Sequence, residues 1–233
     1  ARRERLKAIV YVPHGNSRSK NRAMCGFGAD IVEFGDDFEQ ARREAQRRAI
    51  AEGFHYVPSF HECLVTGAAT YSYELLDGIR GIDVAYVPIG LGSGICGMCA
   101  AREALGLKFE IVGVVSAHAP AYAESFLRRL PVERCAETKL ADGLACSVPE
   151  PEALDVIFRH VARVTAVTDA DVAGAMRALF EDTHNIAEGG GAAALAAAIE
   201  EKRELRGKRV AAVLSGGNVD RDVFISVLSG SDI

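Results

Sequence analysis

Gly90, Gly92, Ser93, Gly94 and Gly97 follow directly on the apolar run Val84–Ile89, so a buried strand turns through them into a helix. At such a junction the missing Cβ atoms let an anion approach, main-chain N–H groups face it, and the helix adds its positive end. The expected ligand carries a phosphate. Gly92, Gly94 and Gly97 also spell G-x-G-x-x-G after a strand, which admits a dinucleotide as well. Two later turns have the same character. Glu188 precedes Gly189, Gly190 and Gly191 and an Ala/Leu helix at 192–204, and Ser215-Gly216-Gly217-Asn218 follows the apolar run Val210–Leu214. Ligands of open α/β sheets sit beyond the carboxyl ends of strands, so the three turns together point to one crevice.

A dinucleotide needs a carboxylate for its ribose at the end of the next strand, roughly 20 residues on. Here that strand ends Val114-Val115-Ser116-Ala117-His118, with neither an acid nor an Arg for a phosphorylated ribose. Cys96 and Cys99 form a C-x-x-C at the start of the helix, where thiolates are favoured, so a redox or metal role has to be weighed. No second Cys or His pair stands at zinc-ligand spacing, and small residues there let the helix pack close to the sheet. The six cysteines, with Cys25, Cys63, Cys135 and Cys146, are scattered as reduced thiols are.

The elements that must position these turns alternate. Strands are expected at 8–13, 30–34 and 55–57, with helices at 21–27 and 38–52, the second capped by Asp36 or Asp37 and packed through Ala41, Ala45, Ala49 and Ile50. A helix at 66–76 leads to the strand at Val84. The helix after the glycine turn runs to Leu105, and the next strand covers 109–115. Helices follow near 121–130 and at 151–161, a strand at 164–167, and a helix from Thr168 to Phe180 with Asp169 and Asp171 in its first turn. Strand–helix alternation predicts an α/β protein with open, mostly parallel sheets and helices on both faces. Two domains are expected, a smaller βα domain at 1–57 and a larger cofactor-binding domain at 58–233. The charged start Ala1–Lys7 reads as though the chain begins within a helix.

Of the 233 residues 49% are hydrophobic and 25% charged, with a net charge of -5, enough to bury a real core and acidic enough to argue against nucleic acid. Arg42, Arg43, Arg47 and Arg48 alternate with Glu39, Gln40, Glu44 and Gln46, the pattern of a solvated helix face. No apolar run approaches the roughly 20 residues of a membrane span, and no signal peptide is evident, so a cytoplasmic setting is expected.

Taken in order, PHGNSRSKNRAMCGFGADIVEFG at 13–35, VPIGLGSGICG at 87–97, LADGLA at 140–145, AEGGGAAALAA at 187–197 and VLSGGNVD at 213–220 resemble the fold type II pyridoxal-phosphate enzymes, specifically the threonine/serine dehydratase group. VVSAHAPAY at 114–122 is similar to its threonine dehydratase-like or hydroxyectoine-utilisation subgroup. The resemblance implies a tryptophan synthase β-like architecture, pyridoxal 5'-phosphate as cofactor, and a lyase that takes water and ammonia from a β-hydroxy amino acid such as threonine or serine to leave a 2-keto acid. It implies a small-molecule amino-acid substrate and a homodimer or higher homo-oligomer. It assigns Gly90, Leu91, Gly92, Ser93 and Gly94 to the phosphate, Ser215, with Gly216 beside it, to the pyridine nitrogen, and Glu188 to the vicinity of the ring. Leu91 and Ser93 depart from the group's glycine-richer loop. Ala68 and Ala69 depart from its Gly-Gln-Gly-Thr turn, which Gly67 would begin. Some relatives hold a divalent cation at positions corresponding to Val115 and Ala121, which offer no oxygen ligand, so no metal is expected.

That chemistry also needs a Schiff-base lysine in a Ser-Phe-Lys-like segment and a Ser-x-Gly-Asn-His turn. Lys7, Lys20, Lys108, Lys139, Lys202 and Lys208 have no such context. The Schiff-base lysine is therefore expected upstream of Ala1, in an N-terminal part this chain lacks. An NAD(P)-binding Rossmann-type domain and a non-catalytic cofactor-binding fragment are the alternatives.

Overall fold

In the computed structural model, which describes residues 1–230, the chain forms two compact units. One comprises Ala1–Pro58 with Asn218–Phe224; the other comprises, among the described residues, Ser59–Gly217 and 225–230.

In the first unit, β1 (Ala8–Val12) and β2 (Ala29–Glu33) pair in parallel, Ala8 against Ala29 through Val12 against Glu33. Helix α1 (Arg18–Gly26) begins three residues before its expected start because the Ser17 side chain accepts from the Lys20 N–H at 3.2 Å. Ser17 Oγ also donates to Asp220 at 3.0 Å, as does Ser19 N at 3.0 Å, which ties the 218–224 segment to the start of α1. Helix α2 (Phe38–Glu52) matches its expected span, with Asp37 accepting from Gln40 N at 2.8 Å. Its basic residues make surface pairs, Glu39 with Arg42 and Arg43 and Glu44 with Arg47.

Three expectations fail in this unit. Ala41 and Ala49 are buried, but Ile50 is 78% exposed, because it stands a 100° step beyond Ala49 and leaves the packed stripe. Residues 55–57 form no strand: a three-residue run ahead of Pro58, which has no N–H, is too short to enter a ladder. The chain's first residues form a single 3₁₀ turn, Arg2–Glu4, in place of the expected helix.

The second unit opens with α3 (Glu62–Gly78), four residues before its expected start, because His61 Nδ1 accepts from Cys63 N at 3.1 Å. There follow β3 (Val84–Pro88), α4 (Ser93–Ala104), β4 (Glu110–Ser116), α5 (Ala121–Arg128), α6 (Pro151–His160), β5 (Arg163–Val167), α7 (Asp169–Thr183), α8 (Gly189–Glu200) and β6 (Val210–Ala212); the last helix, α9 (Arg221–Ser229), begins in the segment assigned to the first unit and ends in the second. The irregular stretch before α6 contains one 3₁₀ turn at Asp142–Leu144. Helix α9 is absent from the sequence-based expectations, and β6 ends two residues early.

Four parallel strands lie in the order β5-β4-β3-β6, with Val84 opposite both Glu110 and Val210 and Val112 opposite Arg163. Side chains alternate across the pleat. Val87, Ile111 and Val115 pack with Ile95 and Met98 of α4 and with Leu154 and Ile157 of α6. On the opposite face α8 runs across all four strands. Every residue of β3 is buried, as a strand covered on both faces requires. Each large aliphatic group taken out of water there contributes about 1.5–3 kcal/mol.

At the far end of α8, the Glu201 carboxylate accepts from Arg163, with Nη1 at 2.6 Å, and from the Tyr86 hydroxyl. Burial alone would raise the Glu201 carboxyl, but the hydrogen bonds from Arg163 and Tyr86 outweigh it and hold it below the ordinary 4.5. A carboxyl depressed in the folded state stabilises above its unfolded value, and that contribution is lost as pH falls through the folded value. Thermal unfolding midpoints measured from about pH 6 to 3 should therefore drop more steeply in the wild type than in Glu201→Gln. Parallel profiles would remove Glu201 from this role.

Candidate functional site

Strand β3 stays in the ladder up to the turn, since Ile89 N donates to Val114 O at 2.8 Å. The chain then reverses at Gly92, which has φ 103° and is the N-cap of α4. A Cβ on Gly92 would stand 2.6 Å from Ala153 Cβ, so the position requires glycine for its backbone and for its space. Cys96 N takes up Gly92 O at 3.0 Å, which leaves the first-turn N–H groups of Ser93, Gly94 and Ile95 directed out of the helix start.

Tyr122 holds this turn from behind. It is 1% exposed, and its hydroxyl donates to Leu91 O at 2.8 Å and accepts from Glu150 N at 3.0 Å. Burial first, and then the neighbouring Cys146, push the phenol far above its ordinary value, so the hydroxyl keeps its proton.

The opposite wall is the start of α8. Glu188 N donates to Gly216 O at 3.1 Å, and Gly191 meets the same turn so closely that a Cβ there would lie 2.1 Å from Gly216 O. A Cβ on Gly216 would stand 2.4 Å from Glu188 Oε1, so the carboxylate lies against the turn that carries Ser215.

Between these walls is a cavity of about 510 Å³. Gly90, Leu91, Gly92, Ser93, Gly94, Glu188 and Ser215 all line it. Gly216 lies behind Glu188 and is not among the lining residues. Gly190 of the second glycine turn lines it too, and the structure adds residues that the turns did not single out: Tyr71 of α3, and Gly143 and Leu144 of the 3₁₀ turn. LADGLA carried the signal for Gly143 and Leu144 only as part of a longer pattern. Tyr71 had no signal of its own, since a tyrosine inside a helix reads as packing. Ala68 lines the cavity with a methyl.

Val87, Leu144, Val213 and Leu214 make the walls apolar, and among the described lining residues there is no Lys, Arg or His. Among the described lining residues the donors open to an anionic group are neutral: the N–H groups at the α4 start and the hydroxyls of Ser93, Tyr71 and Ser215. Such a donor set suits a flat ring with a phosphate at one end and a hydrogen-bonding atom at the other.

Cys96 and Cys99 are buried behind the turn, Cys96 with its Sγ 3.9 Å from Ala153 O. Burial pushes their thiols up to about 12 and about 11, so at neutral pH both are protonated and unsuited to act as a nucleophile. Val115 and Ala121 are buried with apolar side chains.

A family model described as "Pyridoxal-phosphate dependent enzyme" matches residues 1–216. The L-threonine dehydratase catabolic TdcB of Staphylococcus aureus (strain USA300) is 31% identical over 219 residues, covering 92% of this chain; the chain spans 63% of that relative's length. Among solved structures, a threonine deaminase from T.th. is 26% identical with a TM-score of 0.82, covering 92% of this chain and 71% of its own. A fungal L-serine ammonia-lyase from Rhizomucor miehei superposes with a TM-score of 0.88 over 100% of this chain and 77% of its own, at 21% identity, a likeness of fold.

Proposed function

The chain belongs to the family of pyridoxal-phosphate dependent enzymes, and from that premise we propose that it is the cofactor-holding part of a lyase that dehydrates a β-hydroxy amino acid, threonine or serine, to a 2-keto acid and ammonia. One observation carries the reading: a strand-to-helix glycine turn and Ser215 line a single cavity whose described lining has no cationic side chain. The cavity fits the cofactor by its donor set and by the closeness of its glycine walls, where a Cβ would collide with main-chain or packed atoms.

Ser93 and the N–H groups at the α4 start would hold the phosphate, oriented by Tyr122 through the Leu91 carbonyl. Ser215 would face the ring nitrogen and Glu188 the ring edge. When bound, the cofactor supplies an electron sink that eases loss of the proton on the amino acid's α-carbon. Ser215 presents a neutral hydroxyl where a carboxylate would keep the ring nitrogen protonated, and this choice favours loss of a β-substituent over transamination. Glu188, half-buried with Oε1 against the Gly216 turn, would stand at the ring edge as a fixed polar group. The base that takes the α-proton is assigned to a Schiff-base lysine outside residues 1–233.

The enzyme is further proposed to work in the cytoplasm as a homo-oligomer; no helix among the described residues is long and apolar enough to cross a membrane. The test is the visible spectrum of the full-length protein, with intact mass after borohydride reduction and assay of 2-keto acid from L-serine and L-threonine. A lysine-bound cofactor with turnover supports the dehydratase, and a protein that takes up no cofactor sinks it. Ser215→Ala is expected to weaken cofactor affinity about tenfold and to slow elimination with little change in the unfolding midpoint. Unchanged affinity and rate would remove Ser215 from its role.

A further inference from the structure

We propose that the Tyr71 hydroxyl is an additional phosphate-holding group of the cavity, a positioning residue contributed by α3. This rests on the reading of the cavity as a pyridoxal-phosphate site. Tyr71 belongs to none of the three glycine turns; the crossing of two helices brings it there. A Cβ on Gly97 would stand 2.7 Å from Ala69 N and 3.0 Å from Ala68 C, so α3 and α4 meet in main-chain contact. Two residues beyond Ala69, Tyr71 reaches the first turn of α4 and lines the cavity beside Ser93 and Gly94.

Its hydroxyl donates to Gly94 O at 3.3 Å, long against the usual O–H···O length of about 2.7–2.8 Å. A phosphate oxygen at the α4 start is a stronger acceptor for the same proton, because a charge-assisted bond is shorter and roughly twice as strong as a neutral one. Burial raises the Tyr71 phenol above its ordinary 10, so the group enters as a neutral donor throughout the physiological range. With no Lys, Arg or His among the described lining residues, each neutral donor carries a larger share of the anion's stabilisation. Of the two α3 residues that line the cavity, Ala68 offers a methyl and Tyr71 the hydroxyl.

The test compares two ligands that differ only in the phosphate. Pyridoxal 5'-phosphate and pyridoxal are titrated by absorbance into the full-length wild type and Tyr71→Phe, each stripped of cofactor beforehand, and the ³¹P resonance of the bound cofactor is recorded. Tyr71→Phe should raise the dissociation constant of pyridoxal 5'-phosphate about 10- to 100-fold, leave that of pyridoxal unchanged, and shift the ³¹P resonance. Phenylalanine keeps the ring and its packing, and circular dichroism verifies the fold. An equal loss for both ligands, no change for either, or an unmoved ³¹P resonance overturns the role. A wild type that binds neither ligand overturns the site reading itself, which separates the two failures.

Discussion

Gly191→Ala is expected to lower unfolding free energy by about 3 kcal/mol, the upper part of the range for overpacking, and to abolish cofactor uptake in the same variant. The added Cβ would lie 2.1 Å from Gly216 O and 2.9 Å from Gly216 N, both main-chain atoms that no rotamer change can move aside. Relief requires the Gly216 turn to withdraw from the start of α8, which breaks the Glu188 N–H bond to Gly216 O and carries Ser215 away from the cavity. Its neighbour provides the control. A Cβ on Gly190 meets nothing closer than 3.5 Å, ordinary contact, so Gly190→Ala should cost under about 1 kcal/mol. Denaturant unfolding and cofactor absorbance measure both effects, and equal losses in the two variants would contradict the assigned cause.

Gly92→Ala is expected to lose about 2–5 kcal/mol and to weaken cofactor affinity, by two separable routes. The backbone at φ 103° is strained for any residue with a side chain, and the new methyl would overlap Ala153 Cβ at 2.6 Å. Adding Ala153→Gly removes the overlap and leaves the strain. The double variant should therefore recover about 1–3 kcal/mol of the loss and no more. Full recovery would show that the left-handed backbone is not what holds this turn; absence of recovery would show that Ala153 is not the obstacle.

Local chemistry made some elements readable in advance. Asp37 ahead of α2, and Thr168 with Asp171 at α7, are capping signals whose hydrogen bonds involve residues only three apart, so the sequence contains both partners. The apolar run before Gly90 had one reasonable fate, a strand covered on both faces. The misread elements depended on partners distant in the chain. Residues 55–57 have strand-like composition but find no ladder, and Ile50 is apolar on a helix whose buried stripe passes it by. Helix α9 begins after a glycine turn and has a single buried residue, Val227, too little periodicity to reveal it. The expected start of α8 at residue 192 assumed that three glycines form a loop. They are instead its first turn, because close contact with Leu140 and Gly216 outweighs the poor helix propensity of glycine.

For the site the division is similar. The amino-acid sequence by itself determined the α/β alternation and the three glycine-rich turns, because each is a short-range pattern of residue types. With the family's ordered motifs it also named the cofactor. Only the tertiary structure decided that the turns of Gly90–Gly94, Glu188 and Ser215 share one cavity, since that depends on the strand order β5-β4-β3-β6, in which β6, last in sequence, lies directly beside β3. It alone placed Tyr71 beside Gly94 and Tyr122 behind Leu91, because these contacts cross 23 and 31 residues of chain and follow from helix packing. Packing density, more than residue type, made the glycines obligatory, by leaving no room for a methyl group between main chains that must touch.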